Sequence, residues 1–454
     1  MSSTFWTLDR VAGALADNAT AALPRGTTEL AGITTDTRSI APGQIFVALR
    51  GERFDGHDHL EAAVQAGAAG VVVSRALPLG ALGVPVFQVD DTLVALGALG
   101  RYWRRAWGRT IVAVAGSNGK TTTKDLIRAA LWEEMRVHAT TGNLNNRIGV
   151  PLTLLAIPPD AEIAVVELGT SIPGEVAILR EISEPAIAVV TSVAEEHLEG
   201  LGDLAGVLRE EAACYDGVEV GIAPASQPEI AEAARGRAAR VITAGLDDGD
   251  VKPVSWKIDS DGRGILDLGT VVVSPPLRGL HNLQNAMLAI AVARAAGVSD
   301  ESIATGIARM PVPKMRVAWE SLGKATLIND AYNANPGSTR AAISLLRGVG
   351  PGRQRVVVLG TMRELGAASD VCHDDISREA MESGADLIAG IGEFASSLGR
   401  VGAGDPRVLT ASTVEEIWPL LAPRLAPDAV ILLKASRGVQ LERLVPHLTT
   451  WATQ

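Results

Sequence analysis

The sequence predicts an α/β protein of more than one domain, and three observations carry that prediction. Its 454 residues exceed what one ordinary hydrophobic core organises. Short apolar strands alternate with helical stretches along most of the chain. One of those strands, Thr110 to Ala115, runs straight into a glycine-rich turn, a lysine and three threonines.

The first region covers residues 1–107. Strands are expected at Gln44 to Leu49, Gly70 to Val73 and Pro85 to Val89, with an Ala-rich helix from Leu60 to Ala66. A longer helix follows from Thr92 to Trp107, where Leu93, Leu96, Leu99, Tyr102 and Trp103 recur at helical spacing. This describes a small α/β domain whose last helix delivers the chain to a second domain. The opening stretch, Met1 to Arg10, is polar and lacks the pattern of a secretion signal.

The second region covers residues 108–310. After the strand Thr110 to Ala115 comes a helix from Thr121 to about Glu134, and Ile163 to Leu168 and Ile187 to Thr191 read as further strands. Strands apolar at every position are buried on both faces, as in a parallel sheet flanked by helices. The stretch Glu219 to Leu280 mixes short β segments with turns, and Asn282 to Ala296 reads as a helix. The third region, 311–454, repeats the alternation. Its strands are Thr326 to Asn329, Val356 to Leu359, Leu387 to Ile391 and Ala429 to Leu433. Its helices are Ser338 to Leu346, Ser369 to Ser383 and Thr413 to Leu421, which makes a second doubly wound unit.

Composition narrows the function. The chain is 47% hydrophobic and 20% charged, with 47 glycines and 23 prolines, which suits a loop-rich globular protein. A net charge of -11 with no long basic block argues against nucleic-acid binding. No apolar run is long enough for a membrane span. Cys214 and Cys372 are too few for a disulfide framework or a structural zinc site, so reduced thiols and the cytoplasm are expected.

The turn Gly116-Ser117-Asn118-Gly119-Lys120-Thr121 has the chemistry of a phosphate loop. Its glycines let backbone N–H groups curve round phosphate oxygens, and the helix N-terminus behind them favours negative charge. Lys120 can reach the β and γ phosphates of ATP, while Thr121 offers Mg²⁺ a hard oxygen ligand. Two residues separate the glycines where the general loop has four. Glu167 and His197 follow two further strands, at the sheet edge where such folds bind ligands. Read alone, Glu167 is equally an ordinary strand-end carboxylate and His197 a surface or capping residue. Glu196 and Glu199 read as the solvated start of a helix.

With these residues in view, the chain resembles the Mur ligase family over nearly its whole length. The resemblance rests on Gly116-Ser-Asn-Gly-Lys-Thr-Thr-Thr123, Gly142-Asn-Leu-Asn-Asn146, Glu167-Leu-Gly169 and His281-Asn-Leu-Gln-Asn285. Asp330-Ala-Tyr-Asn-Ala-Asn-Pro336, Ser436-Arg437-Gly438 and the segment Met362 to Gly366 add to it. It implies a small N-terminal domain for a UDP-linked substrate, a central P-loop ATPase domain with a parallel sheet, and a C-terminal Rossmann-like domain. The motifs look most like those of members that add D-alanyl-D-alanine to UDP-N-acetylmuramoyl-tripeptide through an acyl phosphate, in peptidoglycan precursor synthesis. A related ligase joining another carboxylate and amine is the alternative.

The same resemblance assigns residues. Lys120, Glu167, His197 and Arg316 would act in phosphoryl transfer. Thr122, Asn282, Asn285, Asp330 and Asn335 would join the phosphate loop around ATP, and Thr121, Glu167 and His197 would serve Mg²⁺. Asp36, Thr37, Arg38, Asn143, Asn146, Ser436 and Arg437 would meet the other substrates, with Lys434 beside the last two. A monomer is expected.

Some positions depart from the family pattern. Many members carry a carbamylated lysine where this chain has Glu211, in the expected helix Leu204 to Tyr215. Glu211 could supply a carboxylate on a shorter stem, or lie on a solvated face. Ser192 replaces an asparagine, Arg147 a glutamate, Thr361 an aspartate and Ala435 a glycine. Lys314-Met315-Arg316 stands for Pro-Gly-Arg.

Overall fold

The computed structural model describes residues 5–77 and 80–453, so part of the polar opening stretch Met1 to Arg10 lies outside the described residues. The chain divides into two compact units. The first comprises residues 1–113, 136–169 and 177–186, and the second comprises residues 114–135, 170–176 and 187–454.

In the first unit, four parallel strands lie in chain order: Gly32–Thr34, Gln44–Val47, Gly70–Val73 and Val86–Gln88. Val71 and Val73 bury one face with Phe46, Ala48, Leu60 and Ala63. The helix Thr92–Trp107 runs as its periodicity predicts. Asp91 caps it, accepting from the N–H groups of Leu93 and Val94, and Gly108 ends it at φ 71°. Val137–Ala139 and Ile163–Glu167 form a second parallel pair.

In the second unit, Ile187–Val190, Val220–Pro224 and Arg240–Ala244 run parallel. The helix Lys120–Leu131 packs against Leu280–Ala295, which is apolar nearly all round and correspondingly buried. The turn-rich stretch contains a helix, Pro228–Ala234, and a small antiparallel sheet of Ser255–Ile258, Gly264–Asp267 and Val272–Val273.

A six-stranded sheet forms the rest of this unit. Its order is Ala318–Leu322, Ala325–Asp330, Val430–Lys434, Arg355–Gly360, Leu387–Ile391 and Val408–Ala411. Only the first strand is antiparallel. Successive residues of one strand feed opposite cores. Val357 and Leu359 meet Ile343, Ile376 and Phe394, whereas Val356 and Val358 meet Ile417, Leu433 and Leu444. That is why these strands read as apolar at every position. No helix among the described residues is long and apolar enough to cross a membrane.

Candidate functional site

The candidate phosphate loop needs its glycines for two separate reasons. Gly116 has φ 117°, and a Cβ there would lie 2.4 Å from Thr191 Oγ1. Gly119 has φ 85°, and a Cβ there would lie 2.7 Å from Asn285 Oδ1. Both positions are closed to side chains by backbone strain and by packing. The loop is held in shape by residues just after the strand Ile187–Val190. Ser117 N–H donates to the Ser192 carbonyl at 2.8 Å, Asn118 N–H donates to Ser192 Oγ at 3.0 Å, and Thr191 Oγ1 donates to the Asn118 carbonyl at 2.6 Å. Ser192, a departure from the family pattern, is thus a structural part of the loop.

The Lys120 ammonium curls over the loop, donating to the carbonyls of Gly116 and Ser117. Glu196 Oε2 lies 3.9 Å from it. The expectation of a solvated Glu196 is corrected: the residue is 7% exposed, set between Lys120, His197 and Asn333, whose Nδ2 donates to Glu196 Oε1 at 3.1 Å. Opposite charge and a fixed donor make that burial tolerable. Glu199 is exposed, as expected.

Glu211 is also buried, at 2% exposure, so the solvated-face alternative fails. Its Oε2 accepts the Gly116 N–H at 2.7 Å. Burial pushes its carboxyl up to about 7, against the opposing influence of Lys120 and the Gly116 N–H. Neighbouring Glu210 is buried for another purpose, accepting from Gly174 N–H, Val176 N–H and Thr170 Oγ1 at 2.6, 2.8 and 3.1 Å. The helix Leu204–Ala212 therefore turns two consecutive carboxylates inward onto backbone donors. Among the described residues, no group of three or more His, Cys, Asp and Glu side chains is arranged to hold a metal ion.

His197 sits in a left-handed conformation, φ 54°, at the start of the short helix Leu198–Leu201. Burial alone would lower its pKa; the hydrogen bond to Glu364 and the charges of Glu196 and Glu364 outweigh this and raise it. Glu364 was not singled out in the sequence, although it lies inside Met362 to Gly366.

Residues from the C-terminal sheet reach the loop through asparagine. Asn335 caps the helix Pro336–Gly348 with its Oδ1, and its Nδ2 donates to Asn118 Oδ1 at 2.8 Å. Asp330 lies deeper than an open ligand would. Its Oδ2 accepts from Lys434 Nζ at 2.7 Å and its Oδ1 from Val317 N–H at 3.1 Å. Ser436 Oγ accepts Arg363 N–H at 3.0 Å, and Arg437 pairs with Glu442. Arg316 stacks its guanidinium 4.2 Å from the Tyr332 ring centroid, between two non-glycine residues of positive φ, Met315 and Val317. Asn282 donates to the Arg278 carbonyl at 2.7 Å, one turn before Asn285.

In the first unit, Glu167 ends its strand fully buried, accepting from Asn145 Nδ2 at 2.9 Å while its N–H donates to Thr140 Oγ1 at 3.0 Å. Asn146 Oδ1 accepts from the N–H groups of Ile148 and Gly149, and Asn143 is exposed. Asp36 caps the turn Thr37–Ser39 and forks onto Arg38 with two bonds of 2.8 Å. The Arg38 guanidinium holds the Asp36 carboxyl at about 2. Arginine and carboxylate are exposed there together.

Three family models match the chain. They are the Mur ligase family catalytic domain at residues 29–104, the Mur ligase middle domain at 114–293 and the Mur ligase glutamate ligase domain at 315–437. The UDP-N-acetylmuramoyl-tripeptide--D-alanyl-D-alanine ligase of Bacillus subtilis (strain 168) is 35% identical over 429 residues, 93% of each chain. A crystal structure of MurF from Acinetobacter baumannii superposes with a TM-score of 0.89 at 32% identity, over 98% of this chain and 99% of that one. MurF ligase from Thermotoga maritima, in complex with ADP, gives 0.82 at 25% identity, over 93% and 98%.

Proposed function

The chain belongs to the Mur ligase family, and on that footing we infer that it is an ATP-dependent ligase adding D-alanyl-D-alanine to UDP-N-acetylmuramoyl-tripeptide. One observation carries the reading: the likeness to ligases of that name covers 93% of this chain in sequence and 98% in structure. The proposed domains are residues 1–107 for the UDP-linked substrate, 108–310 for ATP and 311–454 for closure over the reacting groups.

The loop suits a phosphate chain at the N-terminus of the helix Lys120–Leu131, where the helix dipole favours negative charge, while the N–H groups of Gly116, Ser117 and Asn118 are used to hold the loop itself. Within the second unit the donors suit Mg²⁺: the Thr121 hydroxyl, His197 and a Glu196 Oε2 that is buried without a hydrogen-bond partner; the Glu167 carboxylate of the first unit keeps its proposed role as a further oxygen ligand. Magnesium, when bound, neutralises charge on the β and γ phosphate oxygens. Glu211, the proposed substitute for the family's carbamylated lysine, would add negative charge next to the loop.

A carboxylate is a poor electrophile, so the tripeptide carboxylate first attacks the γ phosphorus. The bond to the β-phosphate oxygen breaks, ADP leaves and an acyl phosphate remains. The dipeptide amine then attacks the carbonyl carbon, a C–N bond forms, phosphate departs and the amine gives up a proton. Lys120 and Arg316 are assigned to the charge that develops during transfer. Asn335, bonded to Asn118, is assigned to seating the C-terminal region over the phosphate loop. Enclosure protects an intermediate that water would hydrolyse.

The proposed location is the cytoplasm, in keeping with two free cysteines. A monomer is the proposed working unit, since one chain supplies every residue named. The mechanism is tested by labelling the tripeptide carboxylate with ¹⁸O. An acyl phosphate carries one label into released phosphate; unlabelled phosphate with normal product formation contradicts it.

A further inference from the structure

The loop Thr361–Gly366 follows the strand Arg355–Gly360 and is fastened by two side chains from different elements. Met362 N–H donates to Nε2 of His373 at 3.0 Å, and Arg363 N–H donates to Ser436 Oγ at 3.0 Å. His373 is 1% exposed, and its Nδ1 donates to the Ser369 carbonyl at 2.8 Å. An acceptor at Nε2 and a donor at Nδ1 define a single neutral tautomer.

The same loop presents Glu364. Its φ of 64° lies where non-glycine residues are uncommon and concentrate at functional sites. The Glu364 carbonyl accepts Glu199 N–H at 3.3 Å. Gly366 packs so close that a Cβ there would lie 3.2 Å from Glu199 Cα. From this seat the Glu364 carboxylate is hydrogen-bonded to Nδ1 of His197. Nε2 is left facing Glu196, 3.6 Å from Oε1, and Glu196 in turn approaches Lys120.

We propose that Glu364 is a positioning residue that fixes the His197 ring with Nε2 toward the phosphoryl-transfer site, and that His373 holds the loop presenting it. This rests on the reading of His197 as a magnesium partner in an ATP-dependent ligase. A carboxylate on one imidazole nitrogen fixes the tautomer and strengthens the other nitrogen as a ligand. Glu364 lies in the segment matched by the glutamate ligase domain and His197 in that matched by the middle domain. The ring is therefore set by contact between the two segments, which couples their docking to the chemistry.

The test uses the full chain, metal-free, with ¹⁵N-labelled histidine at a pH above imidazole titration. The His197 ring is assigned by its loss in His197→Gln. The wild-type ring carries its proton on Nδ1. Glu364→Ala moves it toward the Nε2–H form that free histidine favours, while Glu364→Gln, whose amide oxygen still accepts, keeps it. In ligation, Glu364→Ala raises the half-maximal magnesium concentration about ten-fold or more, leaving KM for both peptide substrates within about two-fold. Glu364→Gln recovers most of that loss. His373→Gln, which keeps an acceptor for Met362 N–H, retains the wild-type ring state, and His373→Ala loses it. An unchanged tautomer and magnesium curve in Glu364→Ala overturn the proposal; that side chain is 55% exposed, so its loss leaves the fold intact. If the wild type makes no ligated product, the ligase reading fails, and the metal-free ring state still decides the part played by Glu364.

Discussion

The Glu211 carboxylate accepts the Gly116 N–H at 2.7 Å, tying the helix Leu204–Ala212 to the first residue of the phosphate loop. Glu211→Ala leaves that donor buried and unsatisfied, which costs about 1–3 kcal/mol. Glu211→Gln keeps an acceptor and is expected to unfold in denaturant close to wild type. If the carboxylate also serves magnesium, both variants need more of it. A stable Glu211→Gln with an unchanged magnesium curve assigns the residue to the loop alone.

Lys434 and Asp330 form a buried ion pair of 2.7 Å, with 3% and 12% of their side chains exposed. Lys434→Ala strands the carboxylate and is expected to destabilise the protein by about 3–5 kcal/mol. Adding Asp330→Asn should recover much of the loss. Denaturant midpoints of the two single variants and the double variant check this, and strict additivity contradicts the coupling.

His281, near Asp330 and Lys434, titrates at about 4 in the folded chain, chiefly because burial disfavours its charged form. Between its ordinary value of 6.5 and about 4 the unfolded chain binds more protons, so stability falls as pH drops through that window. Unfolding free energies at several pH values should show a shallower acid loss in His281→Gln than in wild type. Parallel curves would show that His281 makes no such contribution.

The Lys120 ammonium is assigned to transition-state charge, so Lys120→Ala should lower kcat by about 100-fold or more. It also removes the positive charge beside buried Glu196, so the unfolding midpoint should fall, and rates are compared where the variant is folded. Single-turnover phosphate release measures this, and an unchanged rate refutes the role.

What could be read from the sequence follows the physics of each feature. Strands buried on both faces, such as Val356 to Leu359, declare themselves because every position is apolar. The helix Thr92–Trp107 has its periodicity, its Asp91 cap and its Gly108 stop all in local sequence. The edge strands Gly32–Thr34 and Val408–Ala411 are three and four residues long, too short for a periodicity to show. The glycine-rich turn proposed to bind phosphate was legible as a strand-turn-helix unit because its residues are contiguous. Glu196 reads as solvated, and Glu211 as either a carboxylate serving the site or a solvated face, because their partners, Asn333 and the Gly116 N–H, lie 137 and 95 residues away in the chain. Glu364 meets His197 across 167 residues, a pairing no local pattern encodes.

The enzyme is defined by the bond it makes. The most direct measurement incubates the protein with ATP, Mg²⁺, UDP-N-acetylmuramoyl-tripeptide and D-alanyl-D-alanine, and follows product by mass spectrometry alongside phosphate release. A UDP-linked pentapeptide is expected, formed one-for-one with phosphate and only when all components are present. No product from this pair, with turnover on a different carboxylate or amine, would contradict it.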